Sequence, residues 1–596
     1  MIVKMKRLTL LCLATHRDAA LESLRELGVV HVADVRPPEG QELDALRAQL
    51  ADAERALDAL PTEAAPAEEE RPADELVAEV LALLARRREL GEQADMLRRE
   101  LAGYAGFGEF DLHDVHELAE AGIATALGVA PAAADLVAPE GTLLTVVSRD
   151  RQRQYFSLVA AGGWEAGPPD LGAEYDHVPW PDRPLQELRE GLGDDRAQLD
   201  RLGARLESLA AGREVVERYV ARTADAVRVA EVRAGMGQAE AVSFLSGYLP
   251  VHDCDALRGA AVEHGWGVVL DDPEPGDDVP TLLYQSRMVR PVRTVFDFLH
   301  IYPGYWEWDV GWIFLPFFSL FFAMIVGDAG YAILLLIATF LLQRRFKTTP
   351  RHVFHMMYIV ALATLFWGVI TASYFGIPKL PGFLTALEIS WIKDRDNLID
   401  LCFLIGAVHL SFAHVWNAIS LVRARTWTKV LAQAGWLVVV WSMFFIARQT
   451  VLGRSMPGYL IYLLIAGIVL VAVFMKTPRE LKGGWIDHAL LPLTMIGNFV
   501  DVLSYIRLFA VGYASVAVLA AFNGMAASIG FDSVLTAVAA SLLLLFANAL
   551  NIVLAGLGVL VHAVRLNTLE FSTHKGLAWE GYNLYTPFAK RRQAAS

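Results

Sequence analysis

Arg507 stands inside a long apolar run, in Ser504-Tyr505-Ile506-Arg507-Leu508, and Arg565 stands in the last apolar run, in Val561-His562-Ala563-Val564-Arg565-Leu566. A guanidinium keeps its proton at physiological pH. Holding one at lipid depth costs about 2.5 to 3.5 kcal/mol on insertion scales. Two such residues in membrane-depth helices therefore call for a function, and the chemistry open to a fixed cation there is the handling of ions.

The elements that position them follow from an uneven composition. The chain has 596 residues, 54% of them hydrophobic, yet 67 acidic residues outnumber 52 basic ones, so the average hides two unlike halves. Residues 1–290 form charged, Ala- and Leu-rich segments without a run long enough to span a bilayer, whereas 291–596 carry repeated apolar runs of about 20 residues. This predicts a soluble arm followed by an α-helical polytopic membrane domain. Met1 to Leu13 lacks the pattern of a secretory signal, so the arm is expected to stay in the cytoplasm. Cys12, Cys254 and Cys402 lie far apart, with no metal-ligand or CxxC spacing, and read as packing thiols.

Within the arm, Met5 to Leu13, Asp18 to Leu27 and Gly28 to Val32 read β-α-β, and Ala241 to Tyr248, Asp253 to His264 and Gly267 to Leu270 repeat that rhythm. Thr142 to Val147 and Tyr155 to Ala160 add a strand pair. Between these lobes, Glu42 to Leu60 and Ala73 to Leu101 in one direction, and Leu185 to Val229 in the other, place apolar residues at three- and four-residue spacing. The expectation is two α+β lobes joined by an antiparallel coiled coil, interrupted by a flexible Pro- and Glu-rich break from Pro61 to Pro72. Read blandly, such an arm is a solvated hairpin that binds other proteins.

Charge sets the topology. Arg344, Arg345, Lys347 and Arg351 in one loop, Arg423, Arg425 and Lys429 in a second, and Lys476, Arg479 and Lys482 in a third place these three loops in the cytoplasm. The connection Gly376 to Asp400 carries Glu388, Asp394, Asp396 and Asp400 beside two Lys and one Arg, and Phe522 to Asp532 has no basic residue, so both face outward. Val310 to Leu342 must then cross twice, breaking at Gly327-Asp328-Ala329-Gly330-Tyr331. Runs at Val353–Phe375, Leu398–Val422, Thr428–Thr450, Gly458–Phe474, Asp487–Phe522 and Val534–Phe571 complete about eight passes, with both termini cytoplasmic. The last two runs are about 36 and 38 residues against the roughly 20 a bilayer needs, so they are tilted, protruding or broken.

Pro316-Phe317-Phe318 through Tyr331, Thr364 to Gly376 (TLFWGVITASYFG), Ser504 to Leu508 and His562 to Leu566 together resemble the a subunit, also called subunit I, of vacuolar/archaeal-type rotary ATPases. The likeness covers nearly the whole chain, and the acidic arm and short Gly376 to Asp400 loop resemble a bacterial or archaeal member. The resemblance implies a multi-pass plasma-membrane stator for a proton turbine. Its partners would be a proteolipid c/L ring, peripheral stalk subunits of E/G type, a central-stalk socket subunit of d/C type and the lipid bilayer, with no cofactor and no metal. Arg507 would favour the carboxylate form of each ring acid brought beside it, since a cation within about 4 to 6 Å lowers an acid's pKa by roughly one to three units. Arg565 would widen the zone in which that acid stays ionised.

Polar groups within the apolar helices would then line two offset half-channels. Asp328 reads as an outer half-channel group or a hairpin cap. His409 and His414 point about 140° apart on one helix, so they do not share one pore face. Asp501 lines the inner route or holds Arg507 by a salt bridge, with Ser504 and Tyr505 within two turns. His562, three residues before Arg565 and on nearly the same face, orients the arginine or relays protons. Asn548 and Asn551 read as interhelical hydrogen-bond partners. Glu570 and His574 lie at the cytoplasmic end, as an inner vestibule or a solvated terminus.

No phosphate loop, zinc spacing or GxSxG nucleophile occurs, so ATP is left to partner subunits and the chain reads as a non-nucleotide-binding subunit. No basic stripe points to nucleic acid. The alternative is a secondary ion-coupled transporter with a cytoplasmic regulatory arm, against which stand the absence of an inverted repeat and the clustering of both arginines in the last pair of runs.

Overall fold

The computed structural model describes residues 2–62, 71–164, 167–377, 380–476, 485–581 and 583–590. Most of the Pro- and Glu-rich break (63–70), Lys379 in the outward connection, and Arg479 and Lys482 of the third basic loop lie outside the described residues.

The first lobe opens with β1 (Met5–Leu13), whose alternation turns Leu8, Leu10 and Cys12 inward. Next come α1 (Arg17–Leu27), ended by Gly28 in the left-handed conformation at φ 64°, and β2 (His31–Ala33). The chain leaves along α2 (Gln41–Ala59) and α3 (Ala73–Tyr104) to a second lobe of α4 (Leu112–Glu120), β3 (Ile123–Pro131), β4 (Thr142–Arg149), β5 (Arg153–Ala161) and β6 (Asp176–Val178). It returns along α5 (Leu185–Leu209) and α6 (Arg213–Gly235), with α3 packed on α5 and α2 on α6, the nesting of a hairpin. β7 (Gly237–Ala239), β8 (Val242–Pro250), α7 (Cys254–His264) and β9 (Gly267–Asp271) then complete the first lobe.

Both lobes hold antiparallel sheets, in the orders β2-β8-β1-β9, with β7 added against β8, and β4-β5-β3-β6. The β-α-β rhythm read twice from the sequence thus closes into one sheet, because β1 and β8 pair in the centre. The second lobe's β3 and β6 were not read in the sequence. β3 runs Ile-Ala-Thr-Ala-Leu-Gly-Val-Ala, and its small residues blur the period-two signal.

After α8 (Arg293–Leu299) the chain becomes apolar. α9 (Gly311–Val326) ends at Gly327, φ 67°, and α10 (Ala329–Arg345) begins with Asp328 as its cap, so the helix breaks where two glycines flank an acid. α11 (Arg351–Ile370) stops short of the expected Phe375. Ala372 and Phe375 adopt positive φ, and Ser373 turns back so that its carbonyl accepts from Ala329 N at 2.9 Å. The short α12 (Ser390–Lys393) precedes α13 (Arg395–Arg423), α14 (Trp427–Leu452) and α15 (Leu460–Phe474). α14 and α15 cross where a Cβ on Gly435 would meet Gly467 O at 2.8 Å, an approach only small residues allow.

The short α16 (Trp485–Ala489) leads to α17 (Leu491–Ser504) and α18 (Ile506–Ile529), one apolar rod of 39 residues interrupted at Tyr505. The last rod comprises α19 (Val534–Gly558), two π-helical turns at Val559–Ala563 and Leu566–Glu570, and α20 (Phe571–Lys575). Among the described residues, α11, α13, α14 and these two rods are long and apolar enough to cross a membrane, while α9 and α15 are apolar but shorter. The core of this half gathers Phe321, Phe403, Cys402, Tyr505, Leu508 and Leu566.

Candidate functional site

The long rods are broken, and the breaks sit at the arginines. At the α17/α18 interruption Tyr505 is fully buried, its ring seated over Gly406, where a Cβ would come within 2.6 Å of it. Its hydroxyl shares a hydrogen bond of 2.8 Å with His409 Nδ1. The His409 imidazole is stacked between Phe317 and Phe571, at 4.0 and 4.7 Å between centroids. His409 therefore belongs to a packed aromatic stack that holds the break, while Arg507, two residues on, is left partly open.

Arg507 Nη1 reaches Glu570 Oε1 at 3.0 Å, and its Nη2 donates to Ser504 Oγ at 3.2 Å. Arg565 Nε lies 3.4 Å from the same Glu570 oxygen. In an α-helix a residue five positions on points about 140° away, so Arg565 and Glu570 would not meet. The Leu566–Glu570 turn closes on the fifth residue instead and brings both to one face. π-Turns of this kind concentrate at functional sites. Two guanidiniums thus converge on one buried carboxylate, and the trio carries one positive charge in excess.

Asp501, expected on the inner route or paired with Arg507, is engaged with His574, whose Nε2 is 3.1 Å from Asp501 Oδ2. Glu570 takes the place of Arg507's counter-ion. His574 Nδ1 and His414 Nε2 share a hydrogen bond of 2.9 Å, and His414 Nδ1 donates to Gln433 Oε1 at 2.9 Å. These side chains line a cavity of about 300 Å³ with Thr494, Asn498 and Thr573.

The other expected residues are placed as follows. His562 is half-buried, within electrostatic reach of both Arg507 and Arg565. Asp328 is 1% exposed and caps α10, its Oδ1 accepting from Gly330 N at 2.8 Å and Tyr331 N at 3.2 Å and its Oδ2 from Ser373 Oγ at 2.9 Å. Its side chain is committed to that cap. Asn548 accepts from Tyr331 OH at 2.8 Å, linking the last rod to α10. Sequence reasoning passed over Gln433. It also counted Asp400 among the outward acids at the start of the Leu398–Val422 run and missed its ion pairs, 2.6 Å from Arg448 Nε and 2.6 Å from Arg454 Nη1.

A protein of Treponema pallidum described as V-type ATP synthase subunit I 1 is 31% identical over 644 residues, spanning 99% of this chain and 100% of the relative. The chain belongs to the V-type ATP synthase subunit I family. V-type ATP synthase subunit I of Borreliella burgdorferi is 28% identical over 628 residues and covers both chains fully, and A-type ATP synthase subunit I of Methanocaldococcus jannaschii is 23% identical over 402 residues, 60% of this chain and 56% of that one. The solved cytoplasmic N-terminal domain of a subunit I, homologue of subunit a of V-ATPase, aligns with 44% of this chain and 99% of its own at 18% identity and a TM-score of 0.21, too slight a likeness to build on. No family model matches.

Proposed function

We propose that the chain is the stator subunit of a V/A-type rotary ATPase, forming the proton half-channels against a rotating proteolipid ring and linking the membrane sector to the peripheral stalks. The observation that carries this reading is the convergence of Arg507 and Arg565 on Glu570 at the breaks of two neighbouring rods. The surplus positive charge of that trio is unmatched within it and suits one incoming carboxylate.

The ring acid is neutral while it faces lipid, because ionising it there is costly. Beside Arg507 its charged form is favoured, and the proton leaves. The apolar face available for such a ring is the last rod, of which only 22% of the spanning window is buried, against 39 to 56% for the other spans. Arg565, half exposed, lies on this rod.

We assign the inner half-channel to the Asp501–His574–His414–Gln433 chain and its cavity. A proton passes along these hydrogen bonds as each imidazole exchanges the nitrogen that donates. Ser504 orients Arg507, His562 and Glu570 set the charge that the ring acid meets, and Tyr505 with His409 holds the break. Asp328 belongs to the outer side as the residue fixing the α9–α10 turn. In this reading the membrane half, 291–596, crosses the plasma membrane about eight times, both termini are cytoplasmic, and the arm, 1–290, is an antiparallel coiled coil between lobes that meets stalk and socket subunits. Nucleotide chemistry belongs to the partners.

The test is ATP-driven acidification of vesicles reconstituted with the assembled complex carrying Arg507→Ala. Assembly is kept and pumping is abolished; pumping at the wild-type rate would refute the assignment.

A further inference from the structure

Beyond Gly576 the chain leaves the last membrane rod and runs back over the cytoplasmic-side elements to the first lobe. Ala578 N and Trp579 N donate to Glu307 Oε1 at 2.5 and 3.0 Å, and Gly581 N donates to Tyr302 O at 3.0 Å. A Cβ on Gly581 would stand 2.6 Å from two backbone oxygens, those of Tyr302 and Pro303, so the close approach requires glycine. Further on, Thr281 N donates to Asn583 O at 2.8 Å and Tyr585 N to Thr281 O at 3.0 Å, adding the segment to the linker as a short parallel strand.

The end of this segment is recognised side chain by side chain. Tyr585 OH donates to Val29 O at 2.6 Å, Phe588 N donates to Val30 O at 2.7 Å, and Arg228 Nη2 on α6 donates to Pro587 O at 2.7 Å. The Phe588 ring is 2% exposed and completes the first lobe's core with Leu21, Leu24, Val30 and Val232. Lys590 Nζ closes the segment on Glu22 at 3.2 Å.

We infer that the first lobe carries a groove built for the chain's own C-terminal segment, and that this docking is a second anchor fixing the angle of the arm against the membrane half. A lobe joined to the membrane half only through residues 272–310 has one covalent crossing and pivots about it. A second crossing at a different point, seated by an aromatic plug and backbone pairing, removes that freedom. The consequence for torque, that the arm resists being dragged by the rotor, rests on the stator reading; the geometry of attachment does not.

The experiment places spin labels at Asp200→Cys on the arm and Thr348→Cys beside the membrane helices of the full chain in lipid nanodiscs, and reads the distance distribution. The intact chain gives one narrow distribution. Truncation after Tyr582, or Phe588→Asp should the truncated chain fail to fold, broadens it, and a synthetic peptide of residues 583–592, which fills the groove without a covalent tie to the last rod, leaves the truncated chain broad. An unchanged distribution in either variant, or a truncated chain that the unlinked peptide narrows to the intact width, overturns the inference. In the assembled complex, Phe588→Asp keeps ATP hydrolysis and loses proton pumping. Broadening of the distances with pumping retained would count against the stator consequence and leave the anchor standing.

Discussion

Glu570 meets Arg507 across two rods at 3.0 Å, and it does so from a π-turn that also brings it within 3.4 Å of Arg565. One buried carboxylate therefore offsets part of the fixed charge of both arginines, and its removal changes the site from one surplus positive charge to two.

Glu570→Gln keeps the volume and deletes the charge. A ring carboxylate arriving at the doubled positive charge is held longer, so ATP hydrolysis and ATP-driven pumping slow together. Losing a charged hydrogen-bond partner costs about 1 to 3 kcal/mol, here toward the lower end because both arginines are partly exposed. Pumping rates in reconstituted vesicles and the unfolding midpoint in detergent check the two effects separately. An unchanged pumping rate excludes a charge-setting role.

The relay assigned to Asp501, His574 and His414 makes a different demand. Asp501→Asn leaves the arginine trio intact but removes the group that accepts and returns the proton at one end of the chain. Positioned proton transfer contributes roughly 10²- to 10⁴-fold, so translocation falls by at least about the lower of these figures, with Arg507 still competent. His414→Gln, which breaks the middle of the chain, produces the same loss. Retention of wild-type pumping by both variants would remove the relay.

Much of this was legible in the sequence, for identifiable reasons. Gly327-Asp328 breaks a helix because glycine accepts positive φ and aspartate caps, and both properties are local. Ser504 contacts Arg507 because a three-residue step brings their side chains to one face across the tight turn at Tyr505. Glu570 was read as an inner-vestibule acid or a solvated terminus and not as the counter-ion of both arginines, since its partnership with Arg565 depends on a π-turn for which residue spacing carries no signal. His414, His574 and Asp501 come from three elements, and only tertiary packing joins them. The division at residue 290 was read from hydropathy, which is blind to Phe588 returning to the first lobe.

Asp400 answers two guanidiniums inside α13, and Arg454 Nη2 also donates to Asn397 Oδ1 at 2.6 Å. Removing one partner of a buried ion pair leaves an uncompensated charge, a loss of about 3 to 5 kcal/mol where burial is complete. Arg448 and Arg454 keep some exposure, so Asp400→Asn is expected to destabilise by about 2 kcal/mol. Thermal unfolding of the purified chain measures it. The folded fraction should pump normally, because nothing in this cluster touches the Arg507 trio. A pumping defect at full stability would move Asp400 into the proton path.

The docked C-terminal segment has a pH dependence of defined sign. Thr586 N donates to His31 Nδ1 at 3.1 Å, which requires that nitrogen to be unprotonated. Burial, first of all, holds the His31 pKa below its ordinary value, and the Arg228 guanidinium pushes the same way, while the Asp278 carboxylate opposes them. Tyr248 across the sheet and the Tyr585 ring, 6.2 Å away, complete its surroundings and stay neutral over the range concerned. With the folded pKa lowered, the stabilisation is fully present above the unfolded value of about 6.5. It declines as pH falls below that value and is gone once pH passes below the folded one. Between pH 7.5 and 5, the arm-to-membrane distance distribution of the wild-type chain should therefore broaden. His31→Asn supplies a non-titrating acceptor and should keep it narrow over the same range. Equal broadening in both chains would assign the acid effect to other groups.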